Sequence, residues 1–307
     1  TTAGAINITT RQPTFDFEGR AEISIGNLDF RQAKAAVSGP LSDTVAARLA
    51  LSSTRRRGTI RNVTSDRWIN EQYNLGLRAQ LLWEPSDDLA ITLAGDYSQQ
   101  DPECCGTVFV RTGQTQRALD RQYDALAAAQ DYAAPSGDAF DRVTDLDASL
   151  NAGNKVGGAS LRAVWETGIG TVTSITAWRF WDWKPENDRD FTGLPITTLS
   201  QNPSQQDQFT QELRLSGGGD TLDYTLGAFY FDQSVDTQGT QRQGPAASAW
   251  LINPSNPLSA DPTVLDGLTA DNSIALDNTS AAIYGQVNWR PLPGLTLRPG
   301  VRVNYDS

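Results

Sequence analysis

One short phrase recurs in this chain and limits what it can fold into. AQLLWEPSDDLAITL, RAVWETGIGTVTSI and QVNWRPLPGLTLRP each run as an alternating strand to a Trp, at Trp83, Trp165 and Trp289. A charged residue follows, then a turn of Pro, Gly, Asp or Thr, then a second alternating strand. Each copy is the pattern of a tight β-hairpin. The Trp stands at the same point of every copy, so the three rings share one rim of a sheet. The stretches between copies differ in length, which argues against a fixed-period solenoid. Short turns on one rim, long loops on the other and aromatic residues at strand ends are the traits of a transmembrane β-barrel.

The alternation within strands carries the same message. From Gln72 to Glu84 one face holds Tyr73, Leu75, Leu77, Ala79, Leu81 and Trp83, and the other holds Asn74, Gly76, Arg78, Gln80 and Glu84, with Leu82 the one break. Near the C-terminal end Ala281, Ile283, Gly285, Val287 and Trp289 oppose Ala282, Tyr284, Gln286, Asn288 and Arg290. A β-sandwich also alternates, turning its apolar face to a core. Strand length and aromatic residues at both ends, as in Tyr73 to Trp83, favour a lipid-facing barrel instead.

Composition agrees once strands are taken as the spanning unit. Hydrophobic residues are only 38% of the chain, mean hydropathy is −0.42, and no run reaches the roughly 20 apolar residues of a membrane helix. A barrel strand crosses in about 9 to 11 residues and spends alternate positions on lipid, so its average hydropathy stays low. The formal charge of −11, with Arg supplying most of the positive charge, argues against a nucleic-acid surface. The chain contains no Met and starts with no charged-then-apolar segment, so it is expected to be an internal or processed piece.

Strands are predicted near residues 17–27, 29–39, 44–57, 71–84, 89–100, 156–167, 171–183, 206–217, 221–234, 279–290 and 295–306. Loops 58–70, 101–155, 184–205 and 235–278 fall on the long-loop rim, which faces outside; the short turns face the periplasm. The fold class expected is all-β, an antiparallel up-and-down transmembrane β-barrel of about eleven strands. A complete single-chain bacterial barrel has an even number, so this one is expected to be incomplete. The spacing of Leu119, Tyr123 and Leu126 predicts a short helix over 114–132, folded across the barrel mouth.

The first residues, TTAGAINITTRQP, resemble the end of the plug domain of TonB-dependent receptors: Gly4 and Ala5 precede an Ile6-Asn7-Ile8 strand and a run through Thr9, Thr10 and Arg11 into the barrel. The segment QELRL at Gln211 to Leu215 resembles a barrel strand of the same family, with Glu212 and Arg214 toward the lumen. Adjacent Cys104 and Cys105 resemble a Cys-Cys pair in an outer loop of some proteobacterial members. The resemblance implies residues 1–13 as the end of a plug domain and 14–307 as the first part of a barrel, about half of a 22-stranded one. It implies active uptake across the outer membrane of a Gram-negative bacterium, with a TonB energy-transducing complex as partner, a ferric siderophore as the default cargo, and cobalamin or an oligosaccharide as alternatives. No cofactor and no enzymatic activity are implied, and a monomer is expected.

Candidate sites lie on the outer rim. Cys104 and Cys105 stand where thiols usually pair, and three arrangements stay open: a bond to each other, bonds to cysteines elsewhere, or a soft-metal role. Cysteine catalysis is disfavoured because the chain has no His. The cluster Arg179, Trp181 and Trp183, with Phe191 and Trp250, is either an upper aromatic girdle or a platform for ligand. Trp83, Trp165 and Trp289 are assigned to the periplasmic girdle. Arg55, Arg56, Arg57, Arg61 and Arg67 form a basic loop suited to lipopolysaccharide phosphates or an anionic ligand. Asp261, Asp266, Asp271 and Asp277 lack calcium-loop spacing and read as a solvated acidic loop. Haem is disfavoured as cargo for want of His. A barrel enzyme, a passive porin and a secreted glycan-binding or glycan-cleaving β-protein are the competing classes; the plug-like start discriminates against a porin.

Overall fold

The computed structural model describes residues 9–307. The plug-like motif at Gly4 to Ile8 lies outside them. Sixteen strands and two short helices follow in order: β1 Glu18–Ile25, β2 Arg31–Pro40, β3 Val45–Arg56, β4 Ile60–Asn62, β5 Arg67–Ile69, β6 Gln72–Ser86, β7 Leu89–Gln100, α1 Tyr123–Ala129, β8 Val143–Thr144, β9 Asn151–Thr167, β10 Gly170–Glu186, β11 Thr197–Gln201, β12 Ser204–Gly218, β13 Leu222–Gln243, α2 Ala247–Leu251, β14 Thr269–Leu292, β15 Leu295–Leu297 and β16 Gly300–Asp306.

All of these strands except β4, β5 and β8 form a single antiparallel meander in which sequence neighbours pair. Two of its staves are interrupted by proline, which cannot donate to a ladder. Pro203 separates β11 from β12, and both pair with β13; Pro299 separates β15 from β16, and both pair with β14. Counted as staves, the meander has the eleven that the sequence predicts, and its end strands β1 and β16 each pair on one side among the described residues.

The register confirms the faces. Leu51, Leu77 and Tyr97 lie side by side across β3, β6 and β7, as do Ala50, Arg78 and Asp96 on the opposite face. The first face exposes its apolar side chains: Ile23 is 80% exposed and Leu77 42%. The second buries polar ones: Ser38 is 1% exposed and Gln80 6%. A water-soluble sandwich would do the reverse, so the sheet is inside-out, with lipid as the natural solvent of the apolar face. The hydrophobic clusters of buried residues lie in the outer loops, one around Ile69, Leu146 and Leu150 and one around Ile196, Ala246 and Ala247.

Trp83, Trp165 and Trp289 sit on the apolar face at the short-turn rim, in register with Ile91, Leu89 and Leu222. At the other rim β1 and β2 are joined by a turn in which Leu28 and Asp29 both have φ of 56°, as a primed hairpin turn requires.

Four expectations need correction. Residues 235–278 are not simply a loop: β13 and β14 stay paired from Arg242–Thr269 down to Leu222–Trp289. A stave needs only about 9 to 11 residues to cross lipid, so this hairpin stands well clear of the membrane. Alternation is weak in its upper part, which hid it. Loop 58–70 contains the β4–β5 hairpin, and β8 adds to it in parallel; loop 184–205 contains β11. The helix expected over 114–132 shrinks to Tyr123–Ala129 after a single turn at Leu119–Arg121. Gln122 is the reason. Its side chain accepts from the Thr115 N–H and hydroxyl and donates to the Thr115 and Arg117 carbonyls, which holds the preceding segment in a turn. Leu119 is left 81% exposed, off the face that buries Leu126.

Candidate functional site on the polar wall and outer loops

The polar face divides into two zones by height. Its lower part is charged. Asp96 on β7 accepts from Arg78 on β6 at 3.1 Å and from Arg179 on β10 at 2.7 Å. Strand β9 lies between Asp96 and Arg179, and the residue it offers there is Gly158, in register with both. A Cβ at Gly158 would lie 2.9 Å from Arg179 Cδ and 2.1 Å from the Trp178 carbonyl oxygen. The same device recurs further along. The Tyr284 hydroxyl on β14 donates to Glu212 Oε1 on β12 at 2.6 Å, reaching over Gly227 on β13, where a Cβ would lie 2.2 Å from the Tyr284 ring. Glycine in the middle strand lets a long side chain bridge two strands that do not touch. Glu212 and Arg214 both lie on this face, as their alternation predicts.

Above this belt the face is uncharged around β10, while Glu22 on β1 and Lys34 on β2 keep a charged pair at 3.8 Å further along the row of Trp181. Trp181 and Trp183 project from β10 on the polar side, stacked with ring centroids 5.6 Å apart and 20° between planes. Their register neighbours are Val156 and Asn154 on β9 and Gln206 and Ser204 on β12. Asn154 Oδ1 is buried without a hydrogen-bond partner, and Gln206 donates to Gln208 at 3.3 Å. Indole faces beside neutral amides suit a ligand that shows a flat apolar face and uncharged hydrogen-bonding groups. Trp178 and Phe180 lie on the apolar face, 5.4 Å apart. The girdle reading of this cluster therefore fits Trp178 and Phe180, while Arg179, Trp181 and Trp183 point to the interior.

The other predicted ligand residues are placed differently. Trp250 packs against the cluster of Ile196, Ala246 and Ala247, with its ring edge-on to Tyr123 at 5.6 Å; it is part of a loop core. Phe191 is 47% exposed in the segment after Asp188, with φ of 59°. Its N–H donates to Asp188 Oδ1 at 2.8 Å.

The outer loops are tied together by backbone capture. Asn62 donates to the Leu146 carbonyl at 2.9 Å and Thr64 to that of Asp145 at 2.6 Å. Asp188, fully buried, accepts from the N–H groups of Asp147 and Ala148 in the preceding long loop. With Asp190 these carboxylates place ligand atoms within 4.8 Å of one another. Burial and mutual repulsion push Asp147 up to about 7, and burial pushes Asp190 up to about 6. Burial also raises Asp188, against the three N–H groups that favour its charge. Such a set can share protons or hold a hard cation. Sequence reasoning missed it because its members come from two loops and share no spacing.

Cys104 and Cys105 are bonded to each other. Asn70 brackets the pair: its N–H donates to the Glu103 carbonyl at 2.9 Å, and its side chain both donates to the Gly106 carbonyl and accepts from the Gly106 N–H. Of the basic loop, Arg61 pairs with Asp66, Arg67 with Glu103 at 2.7 Å, and Arg57 approaches Asp29 at 3.9 Å. Arg56 turns to the polar side and donates to the Asn70 carbonyl at 2.7 Å. Asp261 caps a single turn, accepting from the Thr263 N–H at 3.0 Å, and Asp271 accepts from the Thr240 hydroxyl.

No known family profile matches the chain. Solved structures of similar fold include the ferric yersiniabactin uptake receptor FyuA from Yersinia pestis, with TM-score 0.69, 15% identity and coverage of 97% of this chain and 40% of that one. The ferripyoverdine receptor of the outer membrane of Pseudomonas aeruginosa matches at TM-score 0.60 and 15% identity, covering 96% of this chain and 38% of that one. The copper transporter OprC matches at TM-score 0.60 and 10% identity, covering 97% and 39%. The chain thus spans about two fifths of the length of the structures it matches. Its fold is an antiparallel meander shared, over part of their length, with uptake receptors of this kind.

Proposed function

We propose that this chain is the leading part of the barrel of a TonB-dependent receptor in the outer membrane of a Gram-negative bacterium, and that the complete protein takes up a scarce solute by active transport. Residues 1–13 are the end of the plug and its linker, and 14–307 the first part of the barrel. One observation carries the reading. The segment entering β1 lies against the polar wall, where Arg78 Nη2 donates to the Thr10 hydroxyl at 3.3 Å and the Thr14 N–H donates to Ser38 Oγ at 2.9 Å. A segment held along the polar wall as it enters the first strand is what a plug joined to the barrel requires.

A ferric siderophore is the first cargo to test, supported by the shared fold with receptors for ferric chelates. A second cargo, an oligosaccharide taken up by the same mechanism, is favoured by the uncharged zone around Trp181 and Trp183. The partners of this reading are a TonB energy-transducing complex, outer-membrane lipid with its lipopolysaccharide, and the solute; the receptor is a monomer. The test is uptake of labelled ferric chelates and oligosaccharides by cells carrying the full-length protein. Accumulation that stops when the inner-membrane proton gradient is collapsed supports the reading. Accumulation that persists sinks it.

A further inference from the structure

The apolar face carries, at its outer edge, a charge arrangement that solute uptake does not use. Arg31 on β2 and Arg55 on β3 are direct partners across the ladder, both exposed and both on the lipid side. Like charges directly opposite one another destabilise an antiparallel pair. Their neighbours Arg57, Arg61 and Arg67 each have a carboxylate within reach. Among the described residues Arg31 and Arg55 have none. Arg55 instead lies over the Tyr73 ring, its Cζ 4.8 Å from the centroid.

Height says what the missing counter-charge is. Arg55 is in register with Tyr73, and Val45 with Trp83, so ten residues of β6 separate the guanidinium row from the aromatic rim at the short turns. At about 3.3 Å per residue and a tilt of about 40°, that is roughly 25 Å of height, the thickness of the apolar band of an outer-membrane barrel. The rows beneath are Ala33, Ser53 and Leu75, then Ala35, Leu51 and Leu77. The two guanidiniums thus stand where hydrocarbon gives way to headgroups. We propose that Arg31 and Arg55 form a phosphate site for a phosphorylated glycolipid of the outer leaflet, their paired donors facing the phosphate oxygens while Tyr73 holds Arg55 level with the headgroup. This rests on the reading of the sheet as a membrane wall, and it identifies which arginines of that wall meet the lipopolysaccharide.

The experiment uses the full-length protein in phosphatidylcholine nanodiscs with added diphosphoryl lipid A, scored by native mass spectrometry for retained glycolipid. Wild type should retain it, and Arg31→Gln with Arg55→Gln should retain on the order of tenfold less. Arg57→Gln with Arg61→Gln should behave as wild type. A second arm leaves the protein unchanged and replaces the glycolipid with its dephosphorylated form, which should be lost to the same extent. Inorganic phosphate at millimolar concentration should not displace the glycolipid. Equal retention by wild type and the double variant, equal retention of dephosphorylated lipid, or displacement by inorganic phosphate would each overturn the site. A protein that stays out of the membrane fraction altogether would instead overturn the membrane reading beneath it.

Discussion

Arg179 and Asp96 are joined at 2.7 Å although a whole strand separates them. Arg78 reaches the same carboxylate from the other side at 3.1 Å. One aspartate thus ties β6, β7 and β10, with Gly158 of β9 as the gap through which Arg179 passes. On the opposite face Gly157 opens a similar gap between Tyr97 and Phe180, whose rings are 6.4 Å apart; a Cβ at Gly157 would lie 2.7 Å from the Phe180 ring. Two consecutive glycines thin β9 where side chains from both neighbours must meet.

Gly158→Ala should therefore destabilise the full-length barrel by about 1 to 3 kcal/mol, since the added methyl meets backbone that cannot yield. Gly168→Ala, at a turn with open space around the position, should be neutral. Heat-modifiability on gels in detergent compares them. Equal transition temperatures would show that the close approach at Gly158 is not needed.

Leu77 faces lipid between Leu51 and Tyr97. Leu77→Arg should cost about 2 to 4 kcal/mol near the midplane and reduce assembly. Arg78→Leu should be milder, because Asp96 keeps Arg179. Folding yield of the full-length variants into vesicles is the measurement, and equal yields would contradict the inside-out assignment.

The carboxylates of Asp147, Asp188 and Asp190 all sit above their ordinary range. Docked loops therefore hold protons that separated loops release between about pH 4 and 7. Docking is firmest at the acidic end, and it weakens as pH rises through the raised values of about 6 and 7. Protease nicking within 101–150 of the full-length protein should be slower at pH 5 than at pH 8. Asp147→Asn should remove most of that difference. A pH-independent rate in the wild type would count against proton sharing at this junction.

Trp181→Ala with Trp183→Ala should weaken ligand capture by roughly tenfold while leaving assembly intact, because the pair stands on the wall and no hydrophobic cluster depends on it. Trp250→Ala should instead loosen the outer loops, seen as faster proteolysis near Ile196. Capture by whole cells in the cold separates the two effects. The roles would be exchanged if Trp250→Ala alone abolished capture.

Cys104 and Cys105 should resist a membrane-impermeant maleimide on intact cells until a reductant is added, as expected of a pair bonded to each other. Labelling before reduction would mean free thiols.

The hairpins around Trp83, Trp165 and Trp289 were legible because their information is local. A period of two residues, a turn and a rim aromatic lie within one stretch of chain, and ladder pairing turns each into two adjacent staves. The outer half was not legible for the opposite reason. Above the membrane neither face of β13 and β14 is held to lipid, so alternation fades while backbone pairing continues. The helix over 114–132 failed on one side chain, Gln122, whose bonds to Thr115 and Arg117 outweigh a weak local propensity.

The meander, its two faces and the rim of each turn follow from local patterning alone, because a one-residue shift would exchange every apolar side chain for a polar one. Which side chains meet is settled in the assembled sheet and not before. Arg179 finds Asp96 through a glycine two strands' width away, Asp188 gathers N–H groups from another loop, and Trp181 and Trp183 turn inward while Trp178 and Phe180 turn out to lipid. Each depends on register between strands distant in sequence, and register is a property of the assembled sheet, set by the sum of its ladders.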